Sequence, residues 1–504
     1  ELCFAPAAMA LPFLADACGA AVSALAAANA FIAAPVRGVL ASLSQASGLP
    51  LSQVSFLVAT LLNCPIAAAT RFLPKGSARH AYGTLSTLGL LTLAYGRDVE
   101  QFVYAGALVY LFMRFFPRHC GYLTWGTIFS YQVYLHYERA SEEAWNAGEL
   151  DFTGSFMMLT LRLISIAMDY QDGARSKGRS TKKTAEEEGR GKRVITALPP
   201  VLEYSGYLGA IGAVLVGPHF FFHDYLDYAN STGEYALLNT DAFPGVWGPA
   251  VKAMMASAFS AALYFKTGSL ITNRAAVLTW DSRKTLGIWG KLLVGFVCNV
   301  NYRLKLYFAW HLEEAVLILS GFGFSGFSTS DGVTPVWTKA VSAAMIECEM
   351  PPSAAISVVK WNRHTGTWLR TYVYDRIPMK GLAALLVTQT VCGLWHGCSP
   401  SFILFFSHSA VLIYSSRILY RIQTKYMAPE TLSWTNPMHS FYTTFMLSYI
   451  AGGYNVVSLQ SVLDWWQSVG WIGHYIFAAV FAAGAVFPKP NKPKDKSRTK
   501  NKTN

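Results

Sequence analysis

Charged residues are scarce in this 504-residue chain: they make up 14% of it, whereas soluble globular domains carry about 25%. Three long segments, Gly381–Ser416, Thr431–Leu463 and Trp465–Pro488, contain no Asp, Glu, Lys or Arg at all. A soluble core does not need uncharged runs of this length. Together with 53% hydrophobic residues and a mean hydropathy of +0.29, these runs predict an all-α polytopic membrane protein.

Paired cysteines and metal-ligand clusters are also lacking. The eight cysteines are scattered, mostly in apolar stretches, and form no CxxC pattern, so we interpret them as small buried apolar residues. His219 and His223 have the i, i+4 spacing of metal ligands, but the further histidine clusters of a membrane di-iron enzyme are absent. The sequence therefore predicts no metal site.

Excess positive charge is confined to two short segments. The loop 171–193 and the tail 489–504 together carry +10 of the net charge of +12. Such segments are typical of cytosolic loops beside a membrane, and the remaining charge is too small to predict a nucleic-acid-binding face. We predict one membrane domain over residues 1–488, with a disordered loop at 171–193, and a cytosolic tail over 489–504.

The tail ends in Lys500-Asn501-Lys502-Thr503-Asn504. This pattern is similar to a dilysine signal that returns proteins to the endoplasmic reticulum, and it predicts residence in that membrane. An ordinary basic tail is the alternative interpretation. Both interpretations place the C-terminus in the cytosol.

Apolar segments of about 20 residues indicate membrane crossings. We predict roughly eleven to thirteen membrane-embedded segments, some of them short enough to be tilted or re-entrant. No internal repeat is visible, which argues against a duplicated transporter. The segments that precede the three uncharged runs are Ala17–Val36, Ser55–Thr70, Ala81–Gly96, Phe102–Met113, His119–Tyr137, Phe152–Met168, Val194–His223, Val251–Phe265, Lys291–Val300, Phe308–Phe327 and Val336–Ile346.

His396 lies inside the longest uncharged run. One straight helix over that run would be about 54 Å long, too long for a single crossing, so we predict a break at Gly397–Pro400. A histidine beside broken backbone at membrane depth is a candidate general base, because imidazole accepts a proton near neutral pH. The alternative is a structural histidine that is bonded to a neighbouring carbonyl.

The segment Lys360–Arg376 mixes aromatic and basic residues. Interpreted as one helix, it lies at the membrane interface with a basic stripe that meets phosphates, although a solvated face is the alternative. Asn362 would begin this helix beside the aromatic stripe. The aromatic stripe holds Trp361, Thr365, Trp368 and Tyr372, and the basic stripe holds Lys360, Arg363, Thr367 and Arg370.

Two buried carboxylates need partners. Glu313 and Glu314 lie in a largely apolar segment, and we predict that Arg303 or Lys305 pairs with them in a structural role.

The motifs and their spacing resemble the membrane-bound O-acyltransferase family. Trp361-Asn362-x5-Trp368-Leu369-x2-Tyr372-Val373-Tyr374 is followed, 34 residues after the asparagine, by Trp395-His396-Gly397. The resemblance is strongest to the plant- and yeast-type lysophospholipid acyltransferase branch and extends over about residues 50–425. The chain departs from that branch at His364, Asp375, Ser399 and Ser401, which bears on the preference for acyl chain and headgroup.

The resemblance implies an internal catalytic chamber in which Asn362 and His396 are the active-site residues. It implies acyl transfer from acyl-CoA to the free hydroxyl of a lysophospholipid, with His396 as general base and Asn362 as hydrogen-bond donor to a substrate or oxyanion. No cofactor is implied beyond acyl-CoA as co-substrate. Further substrate-binding candidates are Lys360, Arg363 and Arg370 for phosphates, and Trp361, Trp368 and Trp395 for the chamber wall.

Other functions remain open. The same fold could acylate a sterol, a diacylglycerol or a protein, and a lipid transporter could use His396 as a proton-coupling group. An acyltransferase releases free CoA when it is given its acceptor, whereas a transporter is indifferent to acyl-CoA.

Overall fold

The computed structural model describes residues 36–139, 150–176, 193–238, 240–269, 283–452 and 458–488. In these ranges the chain is helical between its turns, and the one β-type pairing is a single bridge between Phe327 and Pro335. The all-α prediction is confirmed. The predicted segment Ala17–Val36 lies outside the described residues except for Val36, as do most of the loop 171–193 and the tail 489–504.

The N-terminal half consists of eight described helices. They are α1 (residues 36–47), α2 (Leu51–Thr70), α3 (Ser77–Tyr95), α4 (Val99–Phe115), α5 (residues 120–139, with a π-helical turn at Trp125–Phe129), α6 (Thr153–Ser176), α7 (Val201–Leu208) and α8 (Phe222–Asn230).

The C-terminal half continues the helical succession within the described ranges. Its helices are α9 (Trp247–Ser269), α10 (Arg283–Ser320), α11 (Met345–Glu349), α12 (Ala354–Lys360), α13 (Arg363–Tyr372), α14 (Gly381–His396), α15 (Pro400–Lys425), α16 (Leu432–Ala451), α17 (Leu459–Ser468) and α18 (Ile472–Val486).

Two of these helices, α2 and α15, are long and apolar enough to cross a membrane. The pair α17 and α18 meets the same criteria as a third span, although it is bent by 76° at its break. These apolar helices agree with a membrane protein. They do not establish the predicted number of eleven to thirteen embedded segments.

Four of the predicted segments have boundaries that the structure contradicts. Val194–His223 is not one helix, because two prolines precede α7, Gly209 ends it and non-helical backbone follows. The segments Lys291–Val300 and Phe308–Phe327 belong to one long helix, α10, which ends at Ser320 before Gly321 with its positive φ. Val336–Ile346 is mainly loop and reaches a helix only at Met345.

The loop that begins at residue 171 is also shorter than predicted. Helix α6 extends to Ser176, and its last turns are tied down rather than free. Gln171 is fully buried, and Asp172 receives a two-pronged ion pair from Arg376 at 2.7 and 3.3 Å. The contact with Arg376 comes from a segment 204 residues away, so composition alone did not indicate it.

Helix α6 lies at the centre of the main hydrophobic core and contacts α4, α5, α7 and α13. Its first turn is fixed by Asp151, whose carboxylate accepts hydrogen bonds from the backbone N–H and the hydroxyl of Thr153. Arg162 is fully buried in its middle and donates to the carbonyls of Tyr207 and Leu208 at 3.2 and 2.7 Å. A helix that is buried on nearly all sides can position its neighbours accurately.

Candidate active site

His396 is the last residue of α14, and the predicted break follows it. Gly397 has φ 144°, which only glycine adopts without strain, and Pro400 begins α15. The chain turns back here, so that the ring of Phe406 stacks on the imidazole of His396 with centroids 5.0 Å apart and planes 15° apart. The break at Gly397–Pro400 is therefore confirmed.

The ring nitrogens of His396 accept and donate no hydrogen bond within the part of the chain that the structure describes. The imidazole is half-buried and is held by aromatic contacts alone. A structural histidine would instead donate a hydrogen bond from a ring nitrogen to a nearby carbonyl. The packing fixes the ring and leaves its nitrogens available to a substrate.

The residues on either side of His396 are anchored. The indole of Trp395 is buried and donates from Nε1 to the carbonyl of Met157 on α6 at 3.0 Å. On the other side, the thiol of Cys398 donates to the carbonyl of Val133 on α5 at 3.3 Å. The turn that carries His396 is thus held by α5 and α6 together.

Asn362 lies at a second break, which the sequence analysis missed. Helix α12 ends at Lys360, Trp361 is extended, and Asn362 has left-handed backbone with φ 37° before α13 begins. The segment Lys360–Arg376 is therefore not one helix. Asn362, which we predicted as the first residue of the helix, instead precedes α13, which begins at Arg363.

Tertiary contacts cause this break. The carbonyl of Lys360 accepts from the backbone N–H of Ala344 at 3.1 Å, and the N–H of Arg363 donates to the carbonyl of Ser342 at 2.8 Å. These bonds to a neighbouring extended segment replace helical bonds at residues 360–363. No glycine or proline indicates the break in the sequence.

The break separates the predicted aromatic stripe into two parts. Trp361 packs against α10, with its ring 5.6 Å from Tyr307 and 4.9 Å from Trp310. Thr365, Trp368 and Tyr372 remain together as the buried face of α13, as predicted.

The buried face of α13 docks on α6. The indole N–H of Trp368 lies 3.0 Å from both the carbonyl of Leu161 and the hydroxyl of Ser165. One turn later on both helices, the hydroxyl of Tyr372 donates to the carboxyl of Asp169 at 2.8 Å. Because the contacts advance together, α13 and α6 run in the same general direction.

One stripe of α6 therefore anchors both motif segments. Met157 binds Trp395 beside His396, while Leu161, Ser165 and Asp169 bind the helix that follows Asn362. Residues four apart lie on one helix face and about 6 Å apart along the axis. The segment that carries His396 and the helix that follows Asn362 therefore contact neighbouring turns of α6.

The basic residues of the segment point in different directions. Lys360 forms an ion pair with Glu347 at 2.6 Å. Arg370 is 78% exposed and lies 3.7 Å from Asp375. Arg363 is half-buried and has no ion pair among the residues that the structure describes. They do not form the single basic stripe that we predicted, because Lys360 belongs to another helix.

The predicted partner of the α10 carboxylates is wrong. Arg303 instead forms an ion pair with Glu349 of α11, in which Nε and Nη2 donate to the two carboxylate oxygens at 2.7 and 2.6 Å. Glu314 pairs with His311 at 3.0 Å, and both oxygens of Glu313 are buried without a hydrogen-bond partner in the described ranges.

Two polar groups near the motifs were missed by the sequence analysis. His136 of α5 lies 3.1 Å from the Trp395 carbonyl, and the pair His311–Glu314 lies on α10 near the residues that contact Trp361. The i, i+3 spacing of His311 and Glu314, which places both residues on one helix face, was visible in the sequence. Nothing local indicates that His136 meets α14, which is some 260 residues distant.

The described residues contain no cluster of three or more His, Cys, Asp or Glu side chains placed to hold a metal ion. His219, half of the i, i+4 pair, hydrogen-bonds from Nε2 to the Ser165 hydroxyl at 2.8 Å. The Ser165 hydroxyl also accepts a hydrogen bond from the indole N–H of Trp368, and it donates to the Leu161 carbonyl at 2.7 Å. His219 therefore supports the docking of α13 on α6.

This helical chain has apolar spans, and at two helix breaks it holds a histidine and an asparagine whose side chains make no hydrogen bond to any residue that the structure describes. These are features of a membrane enzyme. Residues 139–457 match the model of MBOAT, the membrane-bound O-acyltransferase family. Lysophospholipid acyltransferases 1 and 2 of Arabidopsis thaliana are both 31% identical to this chain, and each alignment covers 90% of it and 97–98% of the relative. The lysophospholipid acyltransferase of Schizosaccharomyces pombe is 27% identical over 70% of both chains.

The chain belongs to the membrane-bound O-acyltransferase family. The family match includes both helix breaks, with Asn362 at one and His396 at the other.

Proposed function

We propose that this chain is a lysophospholipid O-acyltransferase that uses acyl-CoA as the acyl donor. The relatives are named lysophospholipid acyltransferases, and two of them align with nearly their whole length. The observation that carries the proposal is structural. Within the described residues, the side chains of His396 and Asn362 make no hydrogen bond and lie at two helix breaks, and Trp395 beside His396 and Trp368 in the helix after Asn362 dock on one stripe of α6.

In the proposed reaction, His396 accepts the proton of the lysophospholipid hydroxyl while that oxygen attacks the thioester carbonyl of acyl-CoA. The carbonyl oxygen becomes an oxyanion, which the amide N–H of Asn362 stabilises by hydrogen bonding. The tetrahedral intermediate collapses, the C–S bond breaks, and His396 returns its proton to the CoA thiolate. The products are a diacyl phospholipid and free CoA. The thioester is already activated, so the reaction needs neither an acyl-enzyme nor a metal or cofactor.

The surrounding residues have supporting roles in this proposal. Trp368 and Trp395 form part of the wall and hold the two segments, since both indole N–H groups are used in bonds to α6. Arg363 and Arg370 are the cations available to phosphates of CoA or of the lipid headgroup. Lys360 would have to leave Glu347 to do so, and Trp361 packs on α10.

We also propose the arrangement in the membrane. Eleven to thirteen embedded segments within residues 1–488 would surround an internal chamber that holds the acceptor and the acyl chain. The basic tail 489–504 would lie in the cytosol, and the enzyme would reside in the endoplasmic reticulum membrane. The lipid bilayer then supplies the acceptor and receives the product.

The test is CoA release by the purified full-length chain in lipid nanodiscs, with one acyl-CoA and a panel of acceptors. Lysophospholipids with choline, ethanolamine, serine or phosphate headgroups form one set, and a sterol and a diacylglycerol form the other. We expect CoA release with at least one lysophospholipid and a matching diacyl product by mass spectrometry. CoA release only with the sterol or the diacylglycerol would overturn the proposal that the acceptor is a lysophospholipid. If no acceptor led to CoA release from acyl-CoA, the result would favour a transporter.

A further inference from the structure

Helix α5 reaches the end of α14 through one side chain. Nε2 of His136 lies 3.1 Å from the carbonyl oxygen of Trp395 and 2.7 Å from the side-chain amide nitrogen of Gln132. His136 is only partly accessible, and Gln132 is fully buried. The contact adjoins His396 in sequence, but it involves the backbone of α14 rather than the imidazole of His396.

The partners fix the proton of His136. A carbonyl only accepts hydrogen bonds, so Nε2 of His136 carries a hydrogen and donates to Trp395. In the structure the amide nitrogen of Gln132 faces this Nε2 at 2.7 Å, and its amide oxygen lies 3.4 Å from the Thr160 hydroxyl. Two donors cannot bond to each other, so an Nε2–H on His136 requires the opposite assignment of the two amide atoms, with the oxygen towards His136 and the nitrogen towards Thr160. All three side chains find complementary partners in this arrangement.

The accepting carbonyl is one of the last in its helix. The final carbonyls of an α-helix have no partner within the helix, and the last turn frays unless another group binds them. Gly397 cannot stiffen this turn, because glycine has the greatest backbone freedom of any residue. An external donor at Trp395 therefore matters more here than at an ordinary helix end.

We propose that His136 is a positioning residue for the reaction. Its Nε2–H would hold the Trp395 carbonyl, and with it the last turn of α14, so that the imidazole of His396 stays against Phe406 and aimed at the substrate hydroxyl. His136 neither touches the reacting atoms nor exchanges a proton with the substrate. The claim that His136 affects the reaction rate rests on the proposed function, whereas the claim that His136 anchors the last turn of α14 does not.

The activity test compares His136→Phe with His136→Gln in the full-length chain. Phenylalanine keeps the ring and removes the donor, so we expect kcat for CoA release to fall about 100-fold while the KM values for both substrates change little. Glutamine places an N–H near the position of Nε2, so it should restore most of kcat. The pH at which the rate falls on the acid side should not move in either variant.

The matched control is His439→Phe. His439 is also a buried histidine with two side-chain bonds, to Ser416 and Gln423 at 2.8 Å each, but it lies on α16. We expect this variant to lose stability while it keeps the kcat of the folded fraction. Equal kcat in the two phenylalanine variants would overturn the proposal, as would a glutamine variant no better than phenylalanine. A shifted pH profile would also overturn it, because His136 would then transfer protons.

A second measurement does not depend on activity. Amide hydrogen exchange at residues 395–398 should accelerate about tenfold in His136→Phe and remain unchanged in His439→Phe, because only the first frees the end of α14. Unchanged exchange at those residues would overturn the proposal. If the wild-type protein had no acyltransferase activity, the proposed function would fail, yet this exchange result would still decide whether His136 anchors α14.

Discussion

At the scale of single residues, the site depends on two side chains that make no hydrogen bond within the described ranges, and on backbone that few residues can adopt. Asn362 has φ 37° and its side chain makes no hydrogen bond to the described residues. His396 is followed by Gly397 with φ 144°. Polar groups that a fold holds still but leaves unpaired are suited to bind a reacting substrate.

Replacing Asn362 with glycine should abolish catalysis without harming the fold. Glycine adopts the left-handed conformation freely, so the unfolding temperature should be unchanged or slightly higher. Loss of the amide donor should lower kcat by about 100- to 1,000-fold. Asn362→Ala should lose the same activity and also about 1 kcal/mol of stability, because its Cβ is strained at positive φ. A glycine variant with more than a tenth of the wild-type kcat would contradict the role of Asn362.

Replacing Gly397 with alanine should disturb the imidazole of His396. A Cβ at this position would lie 3.2 Å from the Phe402 ring, in a backbone conformation that alanine does not tolerate. We expect a loss of kcat of at least tenfold at the temperature where the protein is still folded. Gly89→Ala, in the middle of α3 with nothing within 4 Å of the new Cβ, is the control and should behave like wild type.

At the scale of elements, α6 positions the two segments that carry Asn362 and His396. Its stripe of Met157, Leu161, Ser165 and Asp169 binds α14 and α13 through three separate side chains. A buried helix keeps these anchors at regular intervals along its axis. The relative position of Asn362 and His396 is therefore a property of α6 more than of the short helices that carry them.

The element-scale prediction concerns Trp368. Trp368→Phe removes the N–H that Leu161 and Ser165 share but keeps most of the buried area. A buried hydrogen bond contributes about 0.5–1.5 kcal/mol to stability, so its loss should lower the temperature of thermal unfolding, and kcat should fall because α13 is held less firmly on α6. Trp434→Phe, at a half-exposed tryptophan of α16, should change neither quantity. Equal stability of the two variants would argue against the α6 anchor.

The two helix breaks differ in how far the sequence predicts them. The break after His396 follows from local chemistry, because Gly397 and Pro400 stop helices wherever they occur. The break at Asn362 depends on backbone bonds between residues 342–344 and 360–363, which no local pattern contains. The site residues could be named from their motifs, but the direction of Trp361 and the separation of Lys360 from Arg363 required the tertiary structure.

At the scale of the whole molecule, long-range pairs join regions that the apolar pattern treats as independent. Arg303 and Glu349 connect α10 to α11, with Tyr307 donating to the same carboxylate at 2.8 Å. The prediction that Arg303 or Lys305 pairs with Glu313 or Glu314 was wrong, because α10 is one helix over these residues and separates them by about 12 Å or more along its axis. Sequence patterns indicated the helical membrane class, whereas the pairing of distant segments came only with the structure.

Breaking this connection should destabilise the C-terminal half. Lysine cannot reproduce the two-pronged contact of Arg303, so Arg303→Lys should lower the unfolding temperature and free the carboxylate of Glu349. Its side chain is only 13% exposed, so solvent offers little compensation. Arg370→Lys, whose contact with Asp375 is exposed, should be neutral. An unchanged unfolding temperature in Arg303→Lys would contradict the structural role.

The central claim is that His396 is the general base of an acyl transfer, and one measurement tests it most directly. CoA release should be compared between wild type and His396→Ala at equal amounts of folded protein in nanodiscs, with the best lysophospholipid acceptor. The account predicts release in the wild type and a rate indistinguishable from the protein-free background in the variant. A variant that releases CoA at more than a few per cent of the wild-type rate would contradict the account, even though the family assignment would stand.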